Sequence, residues 1–197
     1  MLFFGHLGLA AVTAQAIELM AQRRKPINNG AIISATPNDI ENWPIKLDYR
    51  LVLIGSMLPD LLDKPVWFLS QAALLPSGRS YAHSLLFNLI LIAGGLILSK
   101  YRKLGLLTLA LSSLTHLLLD EIWNNPVTLW WPFLGSIPQK DTTGWLSDVI
   151  RPLLLQPGSN ILEITEEIIG IAVILLLIYR VISRNGIKEF IKKGTIR

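Results

Sequence analysis

Residues 112–126 read SSLTHLLLDEIWNNP, and their leucine content predicts a helix that begins upstream at Leu104 and carries His116 and Asp120. These two residues lie four positions apart, so in a helix they project from one face, one turn apart. An imidazole and a carboxylate in that relation are ordinary ligands for zinc or a similar divalent metal. A hydrogen-bonded pair in a core is the simpler explanation of this spacing alone, so the other ionisable residues decide between the two.

The histidines of the chain are distributed unusually. There are three of them, His6, His83 and His116, and each lies in or beside a long apolar segment. Burying a spare imidazole among apolar side chains is costly, and the long polar stretches, where surface histidines are expected, contain none. This distribution favours a common metal site over three unrelated roles.

The composition indicates a membrane protein. Hydrophobic residues make up 51% of the 197 residues and charged residues only 16%, against about 25% charged in ordinary soluble domains. The absence of cysteine excludes disulfides, thiolate zinc sites and cysteine nucleophiles, so any metal must have nitrogen and oxygen ligands. The net charge is +4, but the basic residues cluster at the ends of apolar segments, which is typical of membrane topology and not of nucleic-acid binding.

Apolar segments predict an all-α protein with about five membrane-embedded helices in a single domain, residues 1–197. In the first segment, residues 2–20, the basic cluster follows the apolar run and no cleavage site is convincing, so we expect a retained helix and not a signal peptide. The third, between Arg79 and Lys100, offers roughly twenty residues that could span a bilayer. The others are the segment after Arg50, Leu104–Leu119 and Ile161–Ile182.

Two polar regions rich in turn-forming residues, 26–49 and 124–160, are predicted to be long loops. In the second apolar segment the run LPDLLDKP places Asp60 and Asp63 among leucines. Pro59 is expected to break the helix at that point.

Basic clusters at residues 23–25, 100–103 and 180–193 predict the orientation, because basic segment ends tend to stay in the cytoplasm. Three clusters on one side imply five embedded helices with the N-terminus outside. The unusual polar residues then fall towards the outer level, namely His6, His83, His116, Asp120 and the pair Glu163 and Glu167. Helix-end residues that merely reach interfacial water would explain each one separately, but not why every histidine lies on the same side.

Four short motifs carry a resemblance: FGHLG at residues 4–8, LPDLLD at 58–63, RSYAHS at 79–84 and THLLLD at 115–120. In this order they resemble the YdjM-type family, membrane-bound metal-dependent hydrolases also described as LexA-binding and inner-membrane-associated. That family is in turn similar to zinc-dependent phospholipase C and the fungal single-strand nucleases, which implies a phospholipase C-like helical arrangement. The resemblance covers most of the chain.

The resemblance implies a set of metal ligands. Asp60, His83, His116 and Asp120 would surround one metal, and Asp120 would bridge to a second that His6 helps to hold. Glu167 resembles an acid in the last helix of the family, and Glu163, one turn earlier, is the alternative candidate.

Two departures from the family pattern bear on the metal count. Gly78 stands where the family usually has a histidine before the arginine of the third motif. The further histidines that complete a three-metal cluster in the phospholipases are absent. We therefore expect one or two divalent ions, zinc in the first place, with manganese as the alternative.

A hydrolytic mechanism follows from this ligand set. Water bound beside Asp60 would be the nucleophile, Asp60 or Asp63 would receive its proton, and Arg79 would hold a phosphate oxygen by paired hydrogen bonds. Arg79 could equally be an interfacial charge on a turn, and Asp63 could pair with Lys64 or cap a turn. A membrane location favours a lipid-like phosphoester as substrate and membrane lipid as the partner, with no direct nucleic-acid binding.

Two other classes of function remain open at this point. One is a non-enzymatic membrane protein, such as a transporter or assembly factor, whose intramembrane acids and histidines relay protons or ions. The other is a partner-binding membrane protein that keeps its metal for structure. A closed shell of protein ligands favours a structural metal, whereas a coordination position open to water favours catalysis.

Overall fold

The chain folds as a bundle of helices in a computed structural model that describes residues 3–23, 46–71, 73–101, 103–140, 142–143 and 161–196. Within these ranges there is no β-strand, so the all-α prediction is confirmed. The α-helices are α1 (Phe3–Arg23), α2 (Tyr49–Leu69), α3 (Leu85–Ser99), α4 (Gly105–Leu119), α5 (Pro126–Leu129), α6 (Ile161–Ser183) and α7 (Ile187–Lys193). Short 3₁₀ turns, Tyr81–His83 and Ile122–Asn124, precede α3 and α5.

Helix α4 packs against α2 and α3, while α1 packs against both α6 and α2. Glycines allow the closest of these contacts. A Cβ atom placed on Gly55 of α2 would lie 2.5 Å from the Leu109 carbonyl oxygen of α4, and one on Gly8 of α1 would lie 2.5 Å from the Cα atom of Gly170 on α6. Small residues at such crossings let helix backbones approach closely, as they commonly do in membrane proteins.

The prediction that Pro59 breaks the second helix is wrong. Helix α2 runs through both Pro59 and Pro65 and ends at Leu69. Proline removes one backbone donor, but neighbouring helices can hold such a segment in place. As a result Asp60 and Asp63 project from a continuous helix and occupy fixed positions.

The predicted span between Arg79 and Lys100 is only partly helical. Ser84 caps α3, since its Oγ accepts a hydrogen bond from the Phe87 nitrogen at 3.1 Å. The helix therefore begins at Leu85 and has 15 residues, or about 22 Å at 1.5 Å per residue, against a hydrocarbon core of about 30 Å. The residues before it form the turn that holds His83.

Five membrane-spanning helices are not confirmed. Among the described residues one helix, over Phe3–Ala21, is long and apolar enough to cross a membrane, while α3 and α4 are shorter apolar helices. Large apolar side chains such as Leu89, Ile90 and Ile97 of α3 are nevertheless more than half exposed. A helix that exposes so much apolar surface fits contact with lipid or with another protein.

The two predicted loops are described only in part. Residues 24–45 and 144–160 lie outside the described ranges. At the start of the second region the chain forms the short helix α5 and not an irregular loop.

The end of the bundle away from the histidines is closed by the C-terminal residues. The nitrogen of Tyr49 donates a hydrogen bond to the Gly194 carbonyl at 2.8 Å, and Phe190 of α7 packs against a buried cluster that includes Ala10 and Val52. The C-terminal segment is thereby fixed to the beginning of α2.

Candidate metal centre

Four buried side chains from three parts of the fold meet at one end of the bundle. Asp60 comes from the middle of α2, His83 from the turn before α3, and His116 and Asp120 from the end of α4. One ligand atom from each of the four lies within 4.8 Å of the other three. The structure therefore brings together the four residues that the resemblance assigned to one metal.

The distances within this group suit a cation. The Nε2 atom of His83 lies 3.4 Å from Asp60 Oδ1 and 4.0 Å from Asp120 Oδ2, and the Nε2 atom of His116 lies 3.8 Å from each of the same oxygens. Tetrahedral zinc with bonds of about 2.0–2.1 Å requires ligand atoms roughly 3.3 Å apart. A modest contraction around an ion would give that spacing.

Three of these buried atoms have no hydrogen-bond partner among the described residues: Asp60 Oδ1, His83 Nε2 and His116 Nε2. Leaving a buried polar atom without a partner is costly, and buried charges are normally paired or bound to a metal. The nitrogen and carboxylate donors match those that zinc and manganese accept. The residues present thus fit a divalent cation.

His116 is oriented by the backbone of α2. Its Nδ1–H group donates to the Ser56 carbonyl oxygen at 2.7 Å, so in the neutral ring Nε2 carries the lone pair and faces the other three residues. The contact is possible because Gly55 lets α2 approach α4 closely. A helix crossing therefore sets the tautomer of a candidate metal ligand.

His83 is oriented by Asp63. The Nδ1–H group of His83 donates to Asp63 Oδ2 at 2.8 Å, and the same carboxylate accepts hydrogen bonds from the backbone nitrogens of Ser80 and Ala82 at 2.7 and 3.2 Å. Burial opposes protonation of His83, but the adjacent Asp60 and Asp63 carboxylates outweigh burial and raise its pKa above the ordinary value.

These contacts bear on the prediction that Asp60 or Asp63 receives the proton of the water. The Asp63 carboxylate is buried and lies behind His83, on the side of the ring away from Nε2. The alternative that Asp63 pairs with Lys64 is not observed either, since Lys64 pairs with Asp60. The structure shows the other alternative, in which Asp63 caps the turn before α3.

Replacing Asp63 with asparagine should weaken metal binding about 10–100-fold, the usual cost of losing a residue that orients a ligating histidine. The uncharged side chain would hold the His83 ring less firmly and make its nitrogen a weaker ligand. Competition between the protein and a chelator of known affinity measures the effect. Glu189→Gln, on α7 at the far end of the bundle, is the matched control, and equal affinities of the two variants would rule out this role.

A second set of buried polar groups fixes the turn that carries His83. The side-chain nitrogen of Asn88 donates to the carbonyl oxygens of Ala82 and Ser84 at 3.3 and 3.1 Å, and Asn88 Oδ1 accepts from Ser113 Oγ at 2.8 Å. The turn is thereby tied to both α3 and α4. The Ser112-Ser113 pair in an apolar helix was the signal in the sequence that could have indicated this contact.

His6 lies against the cluster from the side of α1. Its ring centroid is 4.3 Å from that of His116, and its Nε2 atom is 3.2 Å from Asp120 Oδ1. Burial opposes ionisation of Asp120, but the hydrogen bond with His6 and the nearby charge of Arg79 hold the pKa of this carboxyl below its usual range. Asp120 thus contacts His6 through Oδ1 while Oδ2 faces the other ligands.

Two cations border the ligand carboxylates. Lys64 Nζ lies 2.6 Å from Asp60 Oδ2, and the Arg79 guanidinium lies 2.8 Å from Asp120 Oδ2. Unlike the ligands, both side chains are about one-third exposed. The structure therefore places Arg79 beside the site, as predicted, and adds Lys64, which the sequence interpretation treated only as a partner for Asp63.

Glu167 has partners different from those expected. Its two oxygens accept hydrogen bonds from the backbone nitrogens of Phe4 and Gly5, both at 2.8 Å. The carboxylate thus caps the first turn of α1, at the two residues before His6, where an anion is favoured. The side chain of the alternative candidate, Glu163, lies outside the described part of the structure.

Comparison with known proteins agrees with the motifs. A family described as YdjM inner membrane protein matches residues 1–187, nearly the whole chain. No curated protein matches, and no solved structure does.

Proposed function

Because the chain belongs to the YdjM inner membrane protein family, we propose that it is a membrane-bound, metal-dependent hydrolase that acts on a phosphoester. One observation carries the proposal, the convergence of Asp60, His83, His116 and Asp120 with their ligand atoms within 4.8 Å of one another. The exposure of Lys64 and Arg79 beside them supports access from outside. A purely structural metal would need no such opening.

The bound cation would be zinc or manganese, held by Asp60, His83, His116 and Asp120. It would supply Lewis acidity, which lowers the pKa of water and stabilises negative charge on a phosphoryl oxygen. His6 and Asp120, whose facing atoms are 3.2 Å apart, would hold a second ion.

The residues of the chain perform the remaining steps in this proposal. Arg79 holds a phosphoryl oxygen through its guanidinium. As the water oxygen forms a bond to phosphorus, its proton passes to Asp60, the bond from phosphorus to the ester oxygen breaks, and the proton then passes to the leaving alcohol. We assign proton transfer to Asp60 and not Asp63, because the hydrogen bonds of Asp63 are directed to the His83 turn.

Membrane topology completes the proposal. We propose that α1, α2, α3, α4 and α6 are all embedded in the bilayer and that the metal centre lies at the extracytoplasmic end, with the basic clusters in the cytoplasm. A phospholipid is then the natural phosphoester, and the chemistry is of the phospholipase C kind that the order of the ligands resembles.

Removing the metal tests this function. The purified protein in detergent should hydrolyse an aryl phosphodiester or a phospholipid, lose this activity after treatment with a chelator, and regain it with zinc or manganese. The far-ultraviolet circular dichroism should change little, because the helices pack through their own apolar contacts. Full activity in a metal-free sample would exclude the mechanism, and unfolding of a sample that never hydrolyses would identify a structural metal.

A further inference from the structure

The two partly exposed cations beside the site come from neighbouring parts of the fold. Lys64 projects from α2, and Arg79 belongs to the turn after Pro76. A Cβ atom placed on Gly78 would lie 3.5 Å from Lys64 Cγ and 3.0 Å from Trp67 Cε3, so the stem of Lys64 runs beside the turn that carries Arg79. Gly78 provides the space for this approach.

Lys64 and Arg79 determine the sign of the net charge of the site. Three carboxylates, Asp60, Asp63 and Asp120, stand against Lys64 and Arg79, which leaves one negative charge when the imidazoles are neutral. A divalent cation turns this into one positive charge, which suits a singly charged phosphodiester. Without Lys64 and Arg79 the metal-loaded site would keep a negative charge and repel any phosphate.

The hydrogen-bonding capacity of Lys64 also favours a phosphate group as the ligand. Its ammonium group has three donors, and its contact with Asp60 Oδ2 at 2.6 Å uses one of them. The side chain is 33% exposed, so the ammonium group can donate to a further acceptor from solvent. Asp60 Oδ1, which faces His83 and His116, is left for the metal.

We infer that Lys64 is a second anion-binding residue of this site and that, together with Arg79, it selects a phosphate group as the ligand of the metal-loaded protein. The inference rests on the proposed function and extends it, since that function assigns the phosphate to Arg79 alone. Lys64 binds the phosphoryl oxygens directly, whereas a merely positioning lysine would act only through Asp60.

The test uses inorganic phosphate as the probe and the full chain in detergent, loaded with zinc. Lys64→Met keeps the aliphatic stem and removes the charge, Lys64→Arg keeps the charge, and Lys188→Met on α7 is the matched control. Calorimetry gives the affinity for phosphate, and chelator competition gives the affinity for zinc in the same samples. Circular dichroism checks that each variant is folded.

Lys64→Met should weaken phosphate binding by at least about tenfold, as expected for the loss of one charge-assisted hydrogen bond. Zinc affinity should change by less than about threefold, Lys64→Arg should restore most of the phosphate affinity, and Lys188→Met should behave like the wild type. Unchanged phosphate affinity in Lys64→Met would overturn the inference. So would a loss confined to zinc affinity, which would show that Lys64 only supports Asp60.

The outcome also separates this inference from the proposed hydrolase function. Phosphate binding that depends on Lys64, in a protein that hydrolyses no phosphoester, would refute the hydrolase and leave the anion site standing. Metal-dependent hydrolysis with no phosphate binding by the wild type would refute the anion site and leave the hydrolase function standing.

Discussion

Alanine at position 116 is expected to abolish stable metal uptake. The His116 imidazole is fully buried and contributes Nε2 to the four-residue group. Alanine has no ligand atom, so the site keeps three of its four candidate ligands. Elemental analysis of the purified variant should give less than about one-tenth of the wild-type metal content, because affinity depends steeply on the number of ligands.

A control on the same helix separates ligation from folding. Leu118 is 55% exposed, so Leu118→Ala removes a side chain of similar size without touching the site, and it should retain the full metal content. If His116→Ala and Leu118→Ala carry equal amounts of metal, His116 is not a ligand.

Leucine at position 170 should prevent α1 and α6 from packing. A Cβ atom there would lie 2.6 Å from the Gly5 nitrogen and closer still to the carbonyl oxygen of Phe4. Backbone atoms cannot rotate away, so the helices must separate, and the hydrogen bonds that the backbone nitrogens of α1 donate to Glu167 must break. We expect a loss of at least about 3 kcal/mol, at or beyond the upper end for an overpacked core, seen as a large fall in the thermal unfolding midpoint.

The same variant should lose metal as well, because His6 lies on the first turn of α1 that Glu167 holds. Ile169→Leu is the control, since Ile169 is adjacent and 47% exposed. An unfolding midpoint for Gly170→Leu equal to that of this control would mean that the crossing is not as close as described.

The helical fold and the convergence of ligands could be predicted from the sequence because both depend on local patterns. Long apolar segments define helices, and the placement of His83, His116 and Asp120 near segment ends brings them to one level of the bundle. Helix lengths and the path of α2 through Pro59 were harder to predict. They depend on the cap at Ser84 and on contacts between helices, which segment hydropathy does not report.

The residues that orient the ligands could not be predicted in the same way. Ser56 acts through its backbone carbonyl, which has no residue signature, and Asn88 and Ser113 acquire their roles only when α3 and α4 are packed together. Glu167 was recognised as unusual, but its partners are backbone amides, and the motif alone does not distinguish a cap from a ligand.

The partner of the charged residue Lys64 could not be predicted from its neighbours in the sequence either. In the sequence Lys64 lies next to Asp63, and the nearest carboxylate along the chain is a candidate partner. In a helix, residues four apart face each other and adjacent ones do not, so Lys64 pairs with Asp60. That register places it at the site.

The central claim is that Asp60, His83, His116 and Asp120 bind one divalent cation together. A crystal of the zinc-loaded protein, measured on both sides of the zinc absorption edge, locates the ion directly. We expect a strong anomalous difference peak about 2 Å from the Nε2 atoms of His83 and His116 and from carboxylate oxygens of Asp60 and Asp120. An anomalous map with no peak among these four side chains, or with its peak elsewhere in the chain, would contradict the account.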